Sequence, residues 1–306
     1  MALYVSGKEL VEVRSILAPL EGNLRMKIVF GVEHGLALVE RGPGYHSQPR
    51  VHDCEQLIYA VEGETWFFVE DKGYHMRLGD FLRVPRMHVH WERNRSDRPC
   101  TTVYGTCPVL DPFTRRGAVG LFGEREDPAV RGSARSIPVS DEYLRVEGEI
   151  TKPEAGGLYA AGQDVPVAEQ AMQVKGGSLS TKFVYGHDLN LMVGTRPGGY
   201  HSRPHFHDCE QINYVAEGEM WIFVEDKGYH LRAGDFLRVP RMAVHWAWNR
   251  ADRTCVLYET HAPPFDPRTI RGSVGLFEEG EVPHPPTSAR NIFTPDISAE
   301  VEAKYP

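Results

Sequence analysis

GYHSQPRVHDCEQLIYAVEGETWFFVEDKGYHMRLGDFLRVPRMHVHWERN, residues 44–94, returns as GYHSRPHFHDCEQINYVAEGEMWIFVEDKGYHLRAGDFLRVPRMAVHWAWN, residues 199–249. The copies align without a gap at a spacing of 155 positions, and the register holds on to GAVGLF and GSVGLF, ending at Phe122 and Phe277. So long an internal repeat means one structural unit built twice. Within it, WFFVEDKGYHMRLGDFLRVP reads as a strand, a turn at Asp71-Lys72-Gly73, a return strand, a turn at Leu78-Gly79-Asp80 and a further strand. Short strands separated by glycine-bearing turns predict a sandwich or barrel, so the fold class is all-β with two tandem barrels. The division is expected near residue 145, giving units 1–145 and 146–306. Helical patterning is confined to Val165–Gln173 and the tail Asp296–Lys304.

The totals agree with this reading. A chain of 306 residues is long enough for two domains with cores of their own, and 30 Gly with 22 Pro favour many turns over long helices. The net charge of −8 disfavours nucleic acid and anionic membrane surfaces as partners and leaves small molecules as the expected ones. No apolar stretch is long enough to cross a membrane as a helix, and the start MALYVSGKELVEVRS has no signal layout, so the expected location is the cytoplasm. The five cysteines fit it: Cys54 with Cys209 and Cys100 with Cys255 are copies, Cys107 is unmatched, and packed thiols are expected rather than disulfides.

In the second copy, Gly199 is followed after five residues by His205, Phe206 and His207, after three more by Gln211 and after six by Gly218. Downstream stand Gly234, Pro240, His245 and Asn249. Side chains on strands alternate faces, so positions 205, 207 and 211 share a parity and a His from a later strand can close the set. The candidate metal ligands are therefore His205, His207, Gln211 and His245, with Gln211 on the ion or just outside it. Three imidazoles and an amide suit one divalent first-row ion, Fe(II) first, with Mn(II), Ni(II) or Zn(II) also compatible. In the first copy, Arg50 replaces the first imidazole, while His52, Gln56 and His90 keep the other places. A guanidinium has no lone pair to offer and repels a cation, so the first barrel is expected to be a metal-free partner. Alternatively Arg50 binds an anion or bridges to Glu55 or Glu62.

Both motif segments resemble those of the cupin superfamily, departing only in Met242 for the middle glycine of the second motif and in Gln211 for the usual Glu. The resemblance implies two double-stranded β-helix, or jelly-roll, barrels. The tandem layout is similar to gentisate-type and other His-rich cupin dioxygenases, and the site also resembles that of cupin hydroxynitrile lyases; a homodimer is expected by the same analogy. Differences between the copies point to substrate contacts: Arg203 replaces Gln48 and Asn213 replaces Ile58, while His201 and Arg241 recur in both and are carried as further candidates. Glu210, one position from Gln211, should point away from the ion. Neutral ligands leave a bound ion its positive charge, which favours an anionic substrate. With no obvious general base in view, the expected activity is Fe(II)-dependent dioxygenation of a small aromatic or enolisable compound. The alternatives are a Mn(II)- or Zn(II)-dependent lyase or hydrolase and a non-catalytic small-molecule-binding module.

Overall fold

The computed structural model describes residues 3–10, 12, 14–15, 19–110, 115–116, 120–121, 135–169, 174–175, 179–264 and 291–306. The repeated segment folds into the same strands in both copies. In the first, Leu24–Phe30, Gly35–Arg41, Cys100–Cys107, Glu55–Glu62 and Phe81–Val84 are consecutive neighbours in one sheet, faced by a second sheet of Arg50–His52, His90–Arg93, Glu64–Val69 and Lys72–Arg77. The second copy repeats this with Ser180–Tyr185, Asn190–Arg196, Cys255–Ala262, Glu210–Glu217 and Phe236–Val239 facing His205–Phe206, His245–Trp248, Glu219–Val224 and Lys227–Arg232. Alternation along each strand places Ile58, Phe67, Val69, Met76 and Leu82 between the sheets of the first barrel and Val215, Met220, Ile222, Leu231 and Leu237 between those of the second. Among the described residues, no helix is long and apolar enough to cross a membrane.

Three local expectations change. The first turn comes earlier, at Glu70 and Asp71, because Lys72 and Gly73 already pair with Val69 and Phe68; Glu70 takes a φ of 55° to make the reversal. Val167–Glu169 is a strand, not a helix, held by pairing to Ser180–Tyr185 with Ala168 buried and Val167 exposed; residues 170–173 lie outside the described residues. Strand pairing there outweighs local helix preference. The tail does form a helix, Ser298–Glu302, and the positions 155 earlier, 143–147, fall in a second helical segment made of the 3-10 turn Asp141–Arg145 and the helix Val146–Glu149. Glu147 accepts from Trp91 Nε1 at 2.8 Å, and Glu302 accepts from Trp246 Nε1 at 2.7 Å, so each helical turn is anchored on its own barrel. The division expected near residue 145 thus runs through the helical segment that closes the first barrel.

The halves also exchange their leading strands. Tyr4–Val5 pairs with Phe236–Val239 of the second barrel, and Tyr159–Ala160 pairs with Phe81–Val84 of the first. The hydroxyls of Tyr4 and Tyr159 donate to Asp235 and Asp80 at 2.9 and 2.7 Å. Between the barrels the sheets that carry Glu55–Glu62 and Glu210–Glu217 pack back to back, with Val29, Leu57 and Val103 against Val184, Leu191 and Ile212. Two buried glutamates cross this seam in opposite directions. Glu210 pairs with Arg238 and accepts from the backbone N–H groups of Val32 and Glu33, both at 2.9 Å. Glu55 pairs with Arg83 at 2.6 Å and accepts from His187 and Asp188 N–H at 3.0 and 2.7 Å. The approach requires glycine at the receiving loops, since a Cβ on Gly31 would lie 2.3 Å from Glu210 and one on Gly186 2.4 Å from Glu55.

Removing either carboxylate leaves a buried arginine and buried N–H groups without their acceptor. Glu210→Ala and Glu55→Ala are each expected to cost about 3–5 kcal/mol of unfolding free energy, read from urea denaturation. A loss under about 1 kcal/mol, the size of a surface pair, would show that the seam does not depend on them.

Candidate metal centre

The set begins with a cross-strand pair. His205, on the short strand His205–Phe206, stands directly opposite His245 at the start of His245–Trp248, and their ring centroids are 4.3 Å apart. His207 follows two residues later with its ring 4.6 Å from that of His245. One ring nitrogen from each of the three lies within 4.8 Å of the others, and all three side chains are buried. Two of the tautomers are set by the backbone: Nδ1 of His205 donates to the Arg203 carbonyl at 2.8 Å and Nδ1 of His245 to that of Ala243 at 3.0 Å. Nδ1 of His207 lies 3.2 Å from the Cys209 carbonyl. A neutral imidazole protonated at Nδ1 keeps its lone pair on Nε2, the form a metal requires.

Burial keeps the rings neutral. It pushes His205 and His207 down to about 4, the proximity of His207 adding to the effect on His205, and it holds His245 well below the usual histidine range. Gln211, on Glu210–Glu217, brings its Oε1 to 2.9 Å from His207 Nε2. The donor set of three imidazole nitrogens and an amide oxygen fits a divalent first-row ion, which would take the place of the contact between His207 Nε2 and Gln211 Oε1.

The sequence reading missed Glu259 and His261, which come from Cys255–Ala262 and line the same cavity. Glu259 accepts from Arg196 Nη2 at 2.6 Å and from Gln211 Nε2 at 3.2 Å, and burial raises its carboxyl above the usual range against the pull of Arg196. The ring of His261 is 5.7 Å from that of His207. Their signal was present in the repeat itself. They replace Tyr104 and Thr106 at the same spacing of 155 positions. A carboxylate beside the candidate set removes one premise of the sequence argument, that no general base was at hand.

Of the candidate substrate contacts, Asn213 lines the cavity, buried, and accepts from Gln211 Nε2 at 2.7 Å. Arg203 bonds to the Thr294 carbonyl at 3.3 Å and lies over the Phe293 ring at the rim. His201 is paired with Glu302 at 2.8 Å and stacks on Trp248. Arg241 is held on the outside by Glu33 and by Asp208. Glu210 points away from the set, into the seam between the barrels.

In the first barrel Arg50 stands opposite His90, as His205 does opposite His245. Its guanidinium donates to Glu92 at 3.0 Å, not to Glu55 or Glu62; Glu92 also accepts from Arg41 Nε and Tyr104, both at 2.7 Å. These charges hold Glu92 down at about 2 despite its burial. Ser136 Oγ lies 3.0 Å from His52 Nε2, and Gln56 Nε2 2.6 Å from His52 Nδ1. The pocket that an ion would need is filled by the protein's own ion pairs and hydrogen bonds. Among the described residues, the cluster with metal-ligand geometry is that of the second barrel.

Comparison with known proteins places this architecture. The cupin domain pattern matches residues 37–104 and again 191–261. Quercetin 2,3-dioxygenase of Bacillus subtilis is 22% identical over 238 residues, covering 69% of this chain and 68% of that protein. The oxalate decarboxylase of Lactobacillus farciminis, solved as a formate complex, superposes with a TM-score of 0.64 at 13% identity over 86% of this chain and 87% of that one. AerE from Microcystis aeruginosa matches with a TM-score of 0.57 at 14% identity over 82% and 98%. With two matched segments, two barrels of the same topology and a histidine cluster on the inner strands of one, the chain carries two cupin domains in tandem.

Proposed function

We propose that the second barrel holds one divalent ion on His205, His207, His245 and Gln211, and that the chain is an Fe(II)-dependent dioxygenase of a small aromatic or enolisable anion. The observation that carries this reading is the convergence of three buried, neutral imidazoles whose Nδ1 atoms face backbone carbonyls. Four neutral ligands would leave the ion its full charge, which favours an anionic oxygen donor in the open positions. When bound, the ion supplies Lewis-acid polarisation and, as Fe(II), electrons for dioxygen. The sequence relationship to a dioxygenase supports this choice.

The chain's own residues shape the rest. Arg196 and Glu259 form an ion pair on the cavity wall, and Glu259, raised by burial, is the group placed to hold a proton taken from a substrate. Asn213 lines the cavity beside Gln211, and Arg203 at the rim is the substrate contact proposed at the mouth. The same Glu259 favours a second reading. A carboxylate able to accept or return a proton beside a Lewis acid is what a Mn(II)-dependent lyase or decarboxylase needs, and oxalate decarboxylases are among the similar folds.

Metal analysis tests the centre. About one divalent ion per chain is expected in the wild type and in His52→Ala, and little in His207→Ala; equal loss in both variants would remove the asymmetry between the barrels. Oxygen uptake separates the two activities. Iron-loaded protein given catechols, gentisate-like acids or diketones should consume oxygen above the metal-free control, and turnover of a carboxylic acid under nitrogen would instead favour the lyase.

The metal-free protein should also lose stability in acid. In the unfolded chain these histidines titrate near the ordinary value of about 6.5, while His205 and His207 fold with values of about 4. As pH falls from about 6.5 toward 4, the unfolded state takes up protons that the folded state refuses. Stability therefore drops by about 1.4 kcal/mol per pH unit per histidine and is fully retained above that window. Urea midpoints measured between pH 7.5 and 4.5 check it; a flat profile would mean that these rings fold protonated.

A further inference from the structure

The two barrels hold the same glutamine in opposite ways. Gln56 and Gln211 occupy equivalent places, opposite Val84 and Val239 on the neighbouring strand, and both are buried. In the second barrel the carboxamide directs Oε1 toward His207 Nε2 at 2.9 Å, while its NH2 group donates to Asn213 Oδ1 at 2.7 Å and Glu259 Oε2 at 3.2 Å. In the first barrel the NH2 group faces the histidine, Nε2 lying 2.6 Å from His52 Nδ1, and among the described residues Oε1 is left buried with no hydrogen-bond partner.

Turning an amide end for end exchanges oxygen and nitrogen at almost no steric cost, so hydrogen-bonding neighbours decide which end faces where. Those neighbours are what differ between the copies. Asn213 stands at the position of Ile58, and Glu259 at that of Tyr104, whose hydroxyl is committed to Glu92. Neither residue of the first barrel offers the amide NH2 an acceptor. In the second barrel both acceptors are themselves pinned: Asn213 Nδ2 donates to the Leu237 carbonyl at 3.3 Å, which turns its Oδ1 to Gln211, and Glu259 Oε1 is held by Arg196.

We propose that Asn213 and Glu259 are positioning residues that lock Gln211 with its oxygen toward the ion and its NH2 group away from it. This rests on the metal reading above. It also gives a reason for glutamine at this place: a carboxylate at 211 would lose both donors and would face the Glu259 carboxylate and the Asn213 oxygen. Charge at position 211 and charge at position 259 are therefore alternatives, and one acid serves where the other cannot.

The test is Mn(II) affinity of metal-free protein, followed by the electron paramagnetic resonance of the free ion, with thermal unfolding as the control for folding. Asn213→Leu, which leaves the Arg196–Glu259 pair intact, should bind about ten-fold or more weakly with little change in melting temperature. Gln211→Glu alone should also bind more weakly than wild type despite its added negative charge, and Gln211→Glu with Glu259→Gln should recover wild-type affinity or better. Unchanged affinity in Asn213→Leu, or Gln211→Glu binding as tightly as the double variant, would overturn the lock while leaving the metal centre standing. Wild-type protein that takes up neither Mn(II) nor Co(II) would overturn both.

Discussion

A carboxylate buried in a protein seam is costly unless arginine and backbone N–H groups surround it, and the two halves of this chain meet through two such carboxylates. Glu210 reaches from the second barrel to the loop at Val32 and Glu33, and Glu55 reaches from the first to the loop at His187 and Asp188. Each acid stands on the strand that also carries the neighbouring glutamine, so the clamp between barrels and the floor of each barrel's cavity share one strand. The exchanged strands Tyr4–Val5 and Tyr159–Ala160 tie the same sheets from the other side. Gln211 is thereby presented from a strand fixed on one face by the seam and free to serve the cavity on the other.

Within that shared frame the barrels have reached opposite electrostatic solutions. Both keep an arginine at the end of the hairpin's second strand, Arg41 and Arg196, and both give it a buried glutamate. In the first barrel the acid is Glu92, which also draws in Arg50 and Tyr104, so the charges are consumed among themselves. In the second, that position is Ala247 and the acid stands at 259 instead. Arg196 is still compensated, yet the inner face near His245 is left to imidazoles and an amide. Moving one carboxylate between strands separates a filled pocket from one able to take a cation, because a cation can enter where the resident groups are neutral and not where a guanidinium already sits.

Much of this was legible in the chain. The repeat at a spacing of 155 positions, the alternation within it and the glycine-bearing turns determined two β-barrels, because strand periodicity and turn chemistry are local properties. The candidate set was legible from its spacing, though not through the alternation of a single strand, since His205 and Gln211 stand on strands of facing sheets. The replacement of an imidazole by Arg50 was the sequence sign that the two pockets differ.

Only the tertiary structure decided the contacts made between strands distant in sequence. That Arg50 is neutralised by Glu92, that Glu259 stands beside Gln211, that His201 serves the tail helix through Glu302, and that the leading strand of each half belongs to the other's sheet all depend on which strands become neighbours. Sequence spacing tells which face of a strand a side chain takes; what lies across from that face is set by pairing and packing over a hundred residues away, where no local periodicity reaches.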